Sequence, residues 1–388
     1  MSFSLLVVAT LAGSLLIGLI PTLVDAVKKP LDARLGLAAG KSEWFIRLFY
    51  LAWLPGMPLS GWVLDTWRGR EILFFGLIGL SLGIAWLAVV RSARSLLLNG
   101  VWLGLAYSAV TVASVRLMTL AFFPDYIEAY RLNIASLNLG FIAVGLGALA
   151  GPWLVKATQY WWGHRQGLLT VSVALLAPAA LTAWCDTSSF PRATDNGVSW
   201  YDLCTHPLVP VIAGVILLYF ALENLLEYWP EAFLKEIAYR DRALEVAMVM
   251  FWIAFIATRG AAAWWLYHYP DHGFGLTILL LLFSACLVGN LAGGFDMGNS
   301  TVGFLLVGAC YGPILPGLLG IALDLYAAPI PLSALGALLA LSGLDTLVLR
   351  PIMDVFTRDR PARSVMRVPT FLTFALVAPL LLLAFLRN

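Results

Sequence analysis

The chain has 388 residues, 61% of them hydrophobic and 12% charged, with a formal charge of +2 and a mean hydropathy of +0.88. Soluble domains carry about 25% charged residues, so this list cannot furnish a water-facing surface of ordinary size, and lipid is the solvent for most side chains. The near-neutral charge, without a basic tail or patch, excludes nucleic acid as a partner.

The pass along the chain is a search for charge-poor runs. A spanning helix needs about 20 mostly apolar residues, and in lipid its backbone polar groups must be satisfied within the segment. Leu5–Val24 is read as the first span and not as a signal peptide, because it lacks a basic n-region and is too long for an h-region. The next runs are Leu48–Leu64, Ile72–Val90, Ser95–Val115, Leu132–Val155 and Gln166–Cys185. A polar stretch, residues 186–206, splits the chain almost in half. Six more runs follow: Pro207–Leu222, Val246–Thr258, Gly273–Phe295, Met297–Leu323, Leu325–Leu344 and Val368–Leu386. The expected fold is therefore an all-α integral membrane protein of about twelve transmembrane helices. Residues 1–185 would form one six-helix bundle and 207–388 a second, the layout of a transporter built from two repeats.

Ionisable residues inside such spans are costly, at least about 2.5 kcal/mol at the bilayer centre, and so mark cavities or partners. Asp25 follows Pro21 near the exit of the first span and is a candidate proton carrier, with an ion pair to Lys28 or Lys29 as the alternative. Arg116 follows a long uncharged run in the fourth span; it would balance a carboxylate or bind an anion, or else extend to the interface. Asn133 and Asn138 open the fifth span, where an amide offers both donors and acceptors to a hydroxylated solute, or bonds to a neighbouring helix. Glu223 and Asn224 lie deep in the seventh span. Burial raises a carboxylate's pKa, which lets Glu223 carry a proton at neutral pH; the alternative is an interfacial ladder with Glu227 and Glu231. Trp252 and Arg259 in the eighth span are seven residues apart, on one helix face, and together suit a sugar or a carboxylate. Pro313 and Pro316 in the tenth free backbone carbonyls and bend the helix, a plausible moving gate. Most of the fifteen tryptophans, Trp161 and Trp162 among them, are assigned to the membrane–water belts.

The four cysteines, Cys185, Cys204, Cys286 and Cys310, contain no C-x-x-C pair, and the four histidines lie near segment ends. No metal site and no cofactor is expected. A disulfide between Cys185 and Cys204 would need an oxidising side of the membrane and stays open. The spacing of histidines and acids offers no cluster for a membrane-embedded enzyme, so no enzymatic activity is expected.

The stretch GWVLDTWRGREIL, Gly61–Leu73, resembles the signature between the second and third helices of the major facilitator superfamily: Gly61, Asp65, Gly69 and Arg70 match, although the second glycine comes one residue late and Thr66 stands where a basic residue is usual. Four further segments are similar to the fucose-permease type of sugar transporter. They are Tyr219–Leu234, with Glu223 and Trp229; FWIAFIATRG, with Phe251, Trp252 and Arg259; GACYGPILP, with Pro313 and Pro316; and Phe123–Pro152.

The resemblance implies two six-helix bundles that alternately open to either side, with Gly61, Asp65, Gly69 and Arg70 in a gating loop. It also implies a small-molecule solute, of monosaccharide type and moved with protons; an organic-anion carrier or drug exporter of the same fold is the alternative. Asn138, Glu223, Asn224, Trp252 and Arg259 would line the substrate site, and Asp25 or Glu223 would take the proton. We expect a monomer, surrounded by membrane lipid, in the inner or plasma membrane. The implied topology puts both termini in the cytoplasm, whereas most lysines and arginines then fall in external loops, opposite to the usual positive-inside bias.

Overall fold

The computed structural model describes residues 2–36, 42–66, 69–123, 132–185, 208–236, 241–294, 297–324, 331–349 and, with short gaps, 351–387; these are helical almost throughout. Among the described residues eight helices are long and apolar enough to cross a membrane. Beside them stand the helix Glu43–Thr66 and three shorter apolar helices, Leu208–Glu223, Leu332–Val348 and Arg367–Leu383, at four of the expected runs. The chain is an integral, multi-pass membrane protein. The polar stretch 186–206 and Cys204 lie outside the described residues.

The helices are α1 (Ser2–Ala26), α2 (Lys28–Leu35), α3 (Glu43–Thr66), α4 (Gly69–Val89), α5 (Ala93–Ala121), α6 (Asn133–Ala174) and α7 (Leu176–Trp184) in the first half. In the second half they are α8 (Leu208–Glu236), α9 (Asp241–His268), α10 (Gly273–Gly294), α11 (Met297–Tyr311), α12 (Ile314–Leu323), α13 (Leu332–Leu344) and α14 (Arg367–Arg387). The fifth and sixth spans run together as α6 and α7, and the reversal is made at Gly163, with φ 74° and ψ 165°. That is backbone only glycine adopts without strain. The tenth span is broken at Gly312–Pro313 into α11 and α12. The eighth span is longer than its uncharged run: α9 continues to His268 and carries Arg259 within it.

The chain divides into two compact units, and they exchange segments. Unit 1 is Met1–Ile127, Ala143–Trp200 and Ala328–Gly343; unit 2 is Glu128–Ile142, Tyr201–Ala327 and Leu344–Asn388. In unit 1, α5 is the central helix, packed by α1, α3 and α4. Its inner face is small or hydroxylated, with Ser108, Ser114, Ala113 and Gly104 buried, so neighbouring backbones come close. The second stretch of α6 lies on α1, with Gly147 against the Leu15 carbonyl. In unit 2, α9 packs on α11, and α14 packs on both α10 and α8. The first ten residues of α6 join this unit through the stripe Ile134, Asn138 and Ile142. Ile134 meets Gly273 and Gly320, and Ile142 meets Gly260. A stripe at i, i+4 and i+8 stays on one helix face, which is why three side chains form one seam.

Polar contacts tie off the helix ends of unit 1. Arg34 donates to the carbonyls of Leu87, Ala88 and Val90 at 2.8–3.0 Å, closing the end of α4. Asp32 accepts from the Ser42 N–H and hydroxyl at 3.1 and 2.9 Å. Arg70, at the start of α4, donates to the Cys185 carbonyl at 2.8 Å. The start of the third span and the end of the sixth therefore lie at one membrane face, as an even number of crossings between them requires. Trp161 and Trp162 are 69% and 47% exposed, as belt residues should be.

Candidate functional site

Two clusters of polar residues stand out, one in each unit. In unit 1 the cluster is built on the end of α3. A helix begins with backbone N–H groups that have no partner within the helix. The Asp65 carboxylate supplies partners for α13: Oδ1 accepts from the Leu332 N–H at 2.8 Å, and Oδ2 accepts from the Ser333 N–H at 3.3 Å and its hydroxyl at 2.9 Å. A negative charge here also meets the positive end of the helix dipole. Gly61, one turn earlier, lies directly on the Leu332 carbonyl, and Gly336, one turn into α13, lies on the Met57 carbonyl. Side chains at either glycine would hold the two backbones apart. Gly69 begins α4 in looser surroundings, 3.6 Å from Leu117. Thus Gly61 and Asp65 bind α13, whereas Arg70 holds the end of α7.

The cluster in unit 2 is built around Arg259. It is 2% exposed, one of the largest fully buried side chains among the described residues. Its head is enclosed by protein groups. Nε donates to the Gly312 carbonyl at 2.8 Å, and Nη1 donates to the Phe141 carbonyl at 2.5 Å. The first of these has a cause in the sequence. In a helix the Gly312 carbonyl would accept from the N–H of residue 316, but that residue is proline and has none. Pro316 therefore frees the oxygen that Arg259 takes. A buried carbonyl left without a donor costs about 1–3 kcal/mol, so the arginine and the break between α11 and α12 stabilise each other.

Aromatic faces complete the shell. The guanidinium carbon stands 4.2 Å from the centroid of Phe255 and 5.4 Å from that of Phe141. Trp252 meets the Phe255 ring edge-on at 5.3 Å, so Phe255 is the platform and Trp252 stands behind it. Glu223, half-buried on α8, bears the carboxylate that acts on the guanidinium. Tyr219 donates to the Tyr311 carbonyl at 3.2 Å, and the Tyr311 hydroxyl pairs with Thr373 at 2.7 Å. This buried ladder links α8, α11 and α14. Asn138 is 0% exposed; its Nδ2 donates to the Ile134 carbonyl at 2.9 Å, and its Oδ1 has no partner among the described residues. Asn133 donates to Asp324 at 2.9 Å, fixing the start of α6 to the end of α12.

The remaining candidates fall elsewhere. Asp25 is exposed and pairs with Lys28 at 2.6 Å, the surface ion pair that the nearby lysines allowed. Arg116 is half-buried on α5. The side chains of Asn224, Glu227 and Trp229 lie outside the described residues. Pro313 precedes α12 and Pro316 lies in its first turn, so both sit at the break that Arg259 holds. Cys185 is a buried free thiol that donates to the Leu181 carbonyl. No group of histidine, cysteine or acid side chains able to hold a metal occurs among the described residues.

Sequence reasoning passed over Phe255, Tyr219, Tyr311 and Tyr107. A signal existed for the last. Pro21 frees the Ile17 carbonyl as Pro316 frees that of Gly312, and the Tyr107 hydroxyl donates to it at 2.8 Å.

Comparison with known proteins leaves the sequence isolated and the architecture familiar. No family model and no curated protein matches the sequence. Among solved structures, the chain is similar to the human organic anion transporter MFSD10 (TETRAN), at 14% identity and a TM-score of 0.71, over 98% of this chain and 97% of that one. It is also similar to the major facilitator superfamily transporter FucP in its outward conformation, at 12% identity and a TM-score of 0.73, over 98% of each chain. A third is a bacterial homologue of the iron transporter ferroportin in an outward-facing state, at 14% identity and a TM-score of 0.72, over 97% of this chain and 98% of that one.

Proposed function

On the premise that this chain has the fold of the major facilitator transporters, we propose that it is a secondary active transporter that moves a small polar solute by alternating access. The carrying observation is Arg259: a fully buried cation in mid-helix, with the Glu223 carboxylate acting on it. Such a charge is too costly in a membrane interior to serve as filler, and marks a solute or ion path.

The solute belongs to the monosaccharide class or is closely related to it, and its movement is coupled to protons. Glu223 takes the coupling proton; Asp25, exposed and paired with Lys28, is the weaker candidate. Asn138, Asn224, Trp252 and Arg259 line the solute site. The repeats 1–185 and 207–388 rock about it, with Gly61, Asp65, Gly69 and Arg70 at one gate and Pro313 and Pro316 at the bend of the tenth span. Arg116 balances charge in the first repeat. A second reading, an organic-anion carrier, draws support from Arg259, whose hydrogen bonds go to neutral carbonyls.

Uptake into proteoliposomes tests the proposal. An imposed inward proton gradient accelerates uptake by the wild type, and Glu223→Gln abolishes that acceleration while leaving solute exchange. Uptake indifferent to the gradient removes proton coupling. An unchanged Glu223→Gln variant removes that residue from the role.

A further inference from the structure

Charge is spread unevenly over the connections of unit 1. Residues 65–71, between the second and third spans, are balanced, with two acids and two basic residues. The opposite membrane face carries residues 22–47 after the first span, 88–96 after the third and 154–168 after the fifth. The first of these holds five basic residues and three acids, and the other two hold two basic residues each and no acid. Two of the three acids are already engaged: Asp25 pairs with Lys28 at 2.6 Å, and Asp32 accepts from Ser42. Among the described residues, Arg34, Arg91, Arg94 and Arg165 make no ion pair.

The three connections converge on Arg34. Its guanidinium donates to the carbonyls of Leu87, Ala88 and Val90, which pins it at the end of α4. It also stands close enough to the turn at Gly163 for its charge to act on both His164 and Arg165. Like charges held together repel, and an anion among them relieves the repulsion. The His164 ring is a second, independent sign. Both of its nitrogens are buried, and neither has a hydrogen-bond partner among the described residues. A neutral imidazole has one donor and one acceptor, and burying them unmatched is unfavourable.

The surroundings of the cluster say what the anion belongs to. Tyr160, Trp161 and Trp162 precede His164 and are 86%, 69% and 47% exposed. In a membrane protein such rings lie at headgroup depth. Two further cations of this face lie over exposed rings, Arg47 at 5.0 Å from the Trp44 centroid and Lys156 at 6.0 Å from that of Trp153. The basic groups therefore stand at the level of lipid phosphates, not in open water.

We propose that this face of unit 1 binds the headgroup of an anionic phospholipid, its phosphate seated against Arg165 and His164 beside Arg34. A phosphate diester brings one negative charge and oxygens that accept from both a guanidinium and an imidazole N–H. A zwitterionic lipid brings the same phosphate with a cation attached, which the surplus of arginine repels. The binding is separate from the solute site and holds whichever solute is carried.

The test uses purified full-length protein in neutral detergent. Thermal shift and native mass spectrometry read the binding of phosphatidylglycerol, phosphatidylcholine and inorganic phosphate. Phosphatidylglycerol is expected to bind about tenfold more tightly than phosphatidylcholine, the scale of one or two charges at a membrane surface. Most of that margin is lost in about 1 M salt, where charges are screened within a few ångströms. Arg165→Glu combined with His164→Gln removes the preference, and Arg165→Lys, which keeps the charge, retains it. Arg165 is exposed, so its replacement leaves the fold in place, and an unchanged thermal midpoint in phosphatidylcholine verifies this.

Equal affinity for the two lipids overturns the proposal. So does a preference that survives the double substitution, which puts the lipid elsewhere on the protein. Stabilisation by inorganic phosphate equal to that by phosphatidylglycerol assigns the cluster to a soluble anion and sinks the lipid.

Discussion

The carboxylate of Asp65 takes two hydrogen bonds from Ser333, one from its backbone N–H at 3.3 Å and one from its hydroxyl at 2.9 Å, across 268 positions of sequence. With the Leu332 N–H also bonded, Asp65 acts as the cap of α13. Removing a helix cap costs about 0.5–2 kcal/mol. Asp65→Ala is expected to lose stability in that range, read as a lower thermal midpoint in detergent. Asp65→Asn keeps an acceptor but loses the charge, so it should fall between the two. Equal midpoints for all three proteins would show that the cap contributes nothing.

The two glycines of the same motif should behave differently. A methyl group at Gly61 would run into the Leu332 carbonyl, which is backbone and cannot turn aside. At Gly69 the nearest atom is a leucine methyl at 3.6 Å, an ordinary contact. Gly61→Ala is therefore expected to destabilise by about 1–3 kcal/mol, the usual range for overpacking. Gly69→Ala should leave the melting curve close to wild type. A reversed order would refute the packing described for α3 and α13.

Tyr107 is 3% exposed and gives its hydroxyl proton to the carbonyl that Pro21 leaves free. Tyr107→Phe keeps the ring and its stacking on Trp53, whose centroid lies 4.6 Å away. Only the donor is lost. The bared oxygen is buried, and the expected loss of stability is about 1–3 kcal/mol. Thermal unfolding of Tyr107→Phe beside a Tyr160→Phe control, at an 86% exposed position, measures it.

Cys185 provides a pH prediction outside the spans. Burial raises its thiol pKa above the ordinary value, and the Arg70 guanidinium partly offsets this. A raised thiol pKa keeps the neutral, unreactive form to higher pH, since the thiolate is the nucleophile. With Cys204, Cys286 and Cys310 changed to serine, maleimide labelling of Cys185 should be slow near neutrality and should accelerate only at pH above that needed for a free cysteine peptide. Labelling at the peptide's rate at neutral pH would contradict the buried placement.

Much of this architecture could be read from the chain, because lipid punishes charge so heavily that spans announce themselves. Leu5–Val24 and Ile72–Val90 match α1 and α4 to within a few residues at each end. The uncharged run of the eighth span ends at Thr258, and the helix continues past it through Arg259. That arginine is an interior residue, and its charge is accommodated by carbonyls that lie 53 and 118 positions away. No local pattern reveals partners at such separations. Half of the clue was nevertheless local: Pro316 and Pro21 each tell that a carbonyl four residues earlier lacks its donor. What sequence could not say is which side chain would arrive, Arg259 in one case and Tyr107 in the other. The aromatic platform was placed on Trp252 by its seven-residue spacing, yet Phe255, one turn nearer, has the shorter reach to the guanidinium.

One property of α6 follows from its glycines. Gly147 lies on the Leu15 carbonyl and, one turn later, Gly151 lies on the Thr22 hydroxyl. An α-helix turns about 100° per residue. Adding one alanine between the two glycines would swing Gly151 about a quarter turn off α1, and adding two would nearly reverse it. This stretch of the helix therefore works as a ruler whose phase matters more than its composition, and insertions there should be tolerated far less than substitutions at its exposed positions.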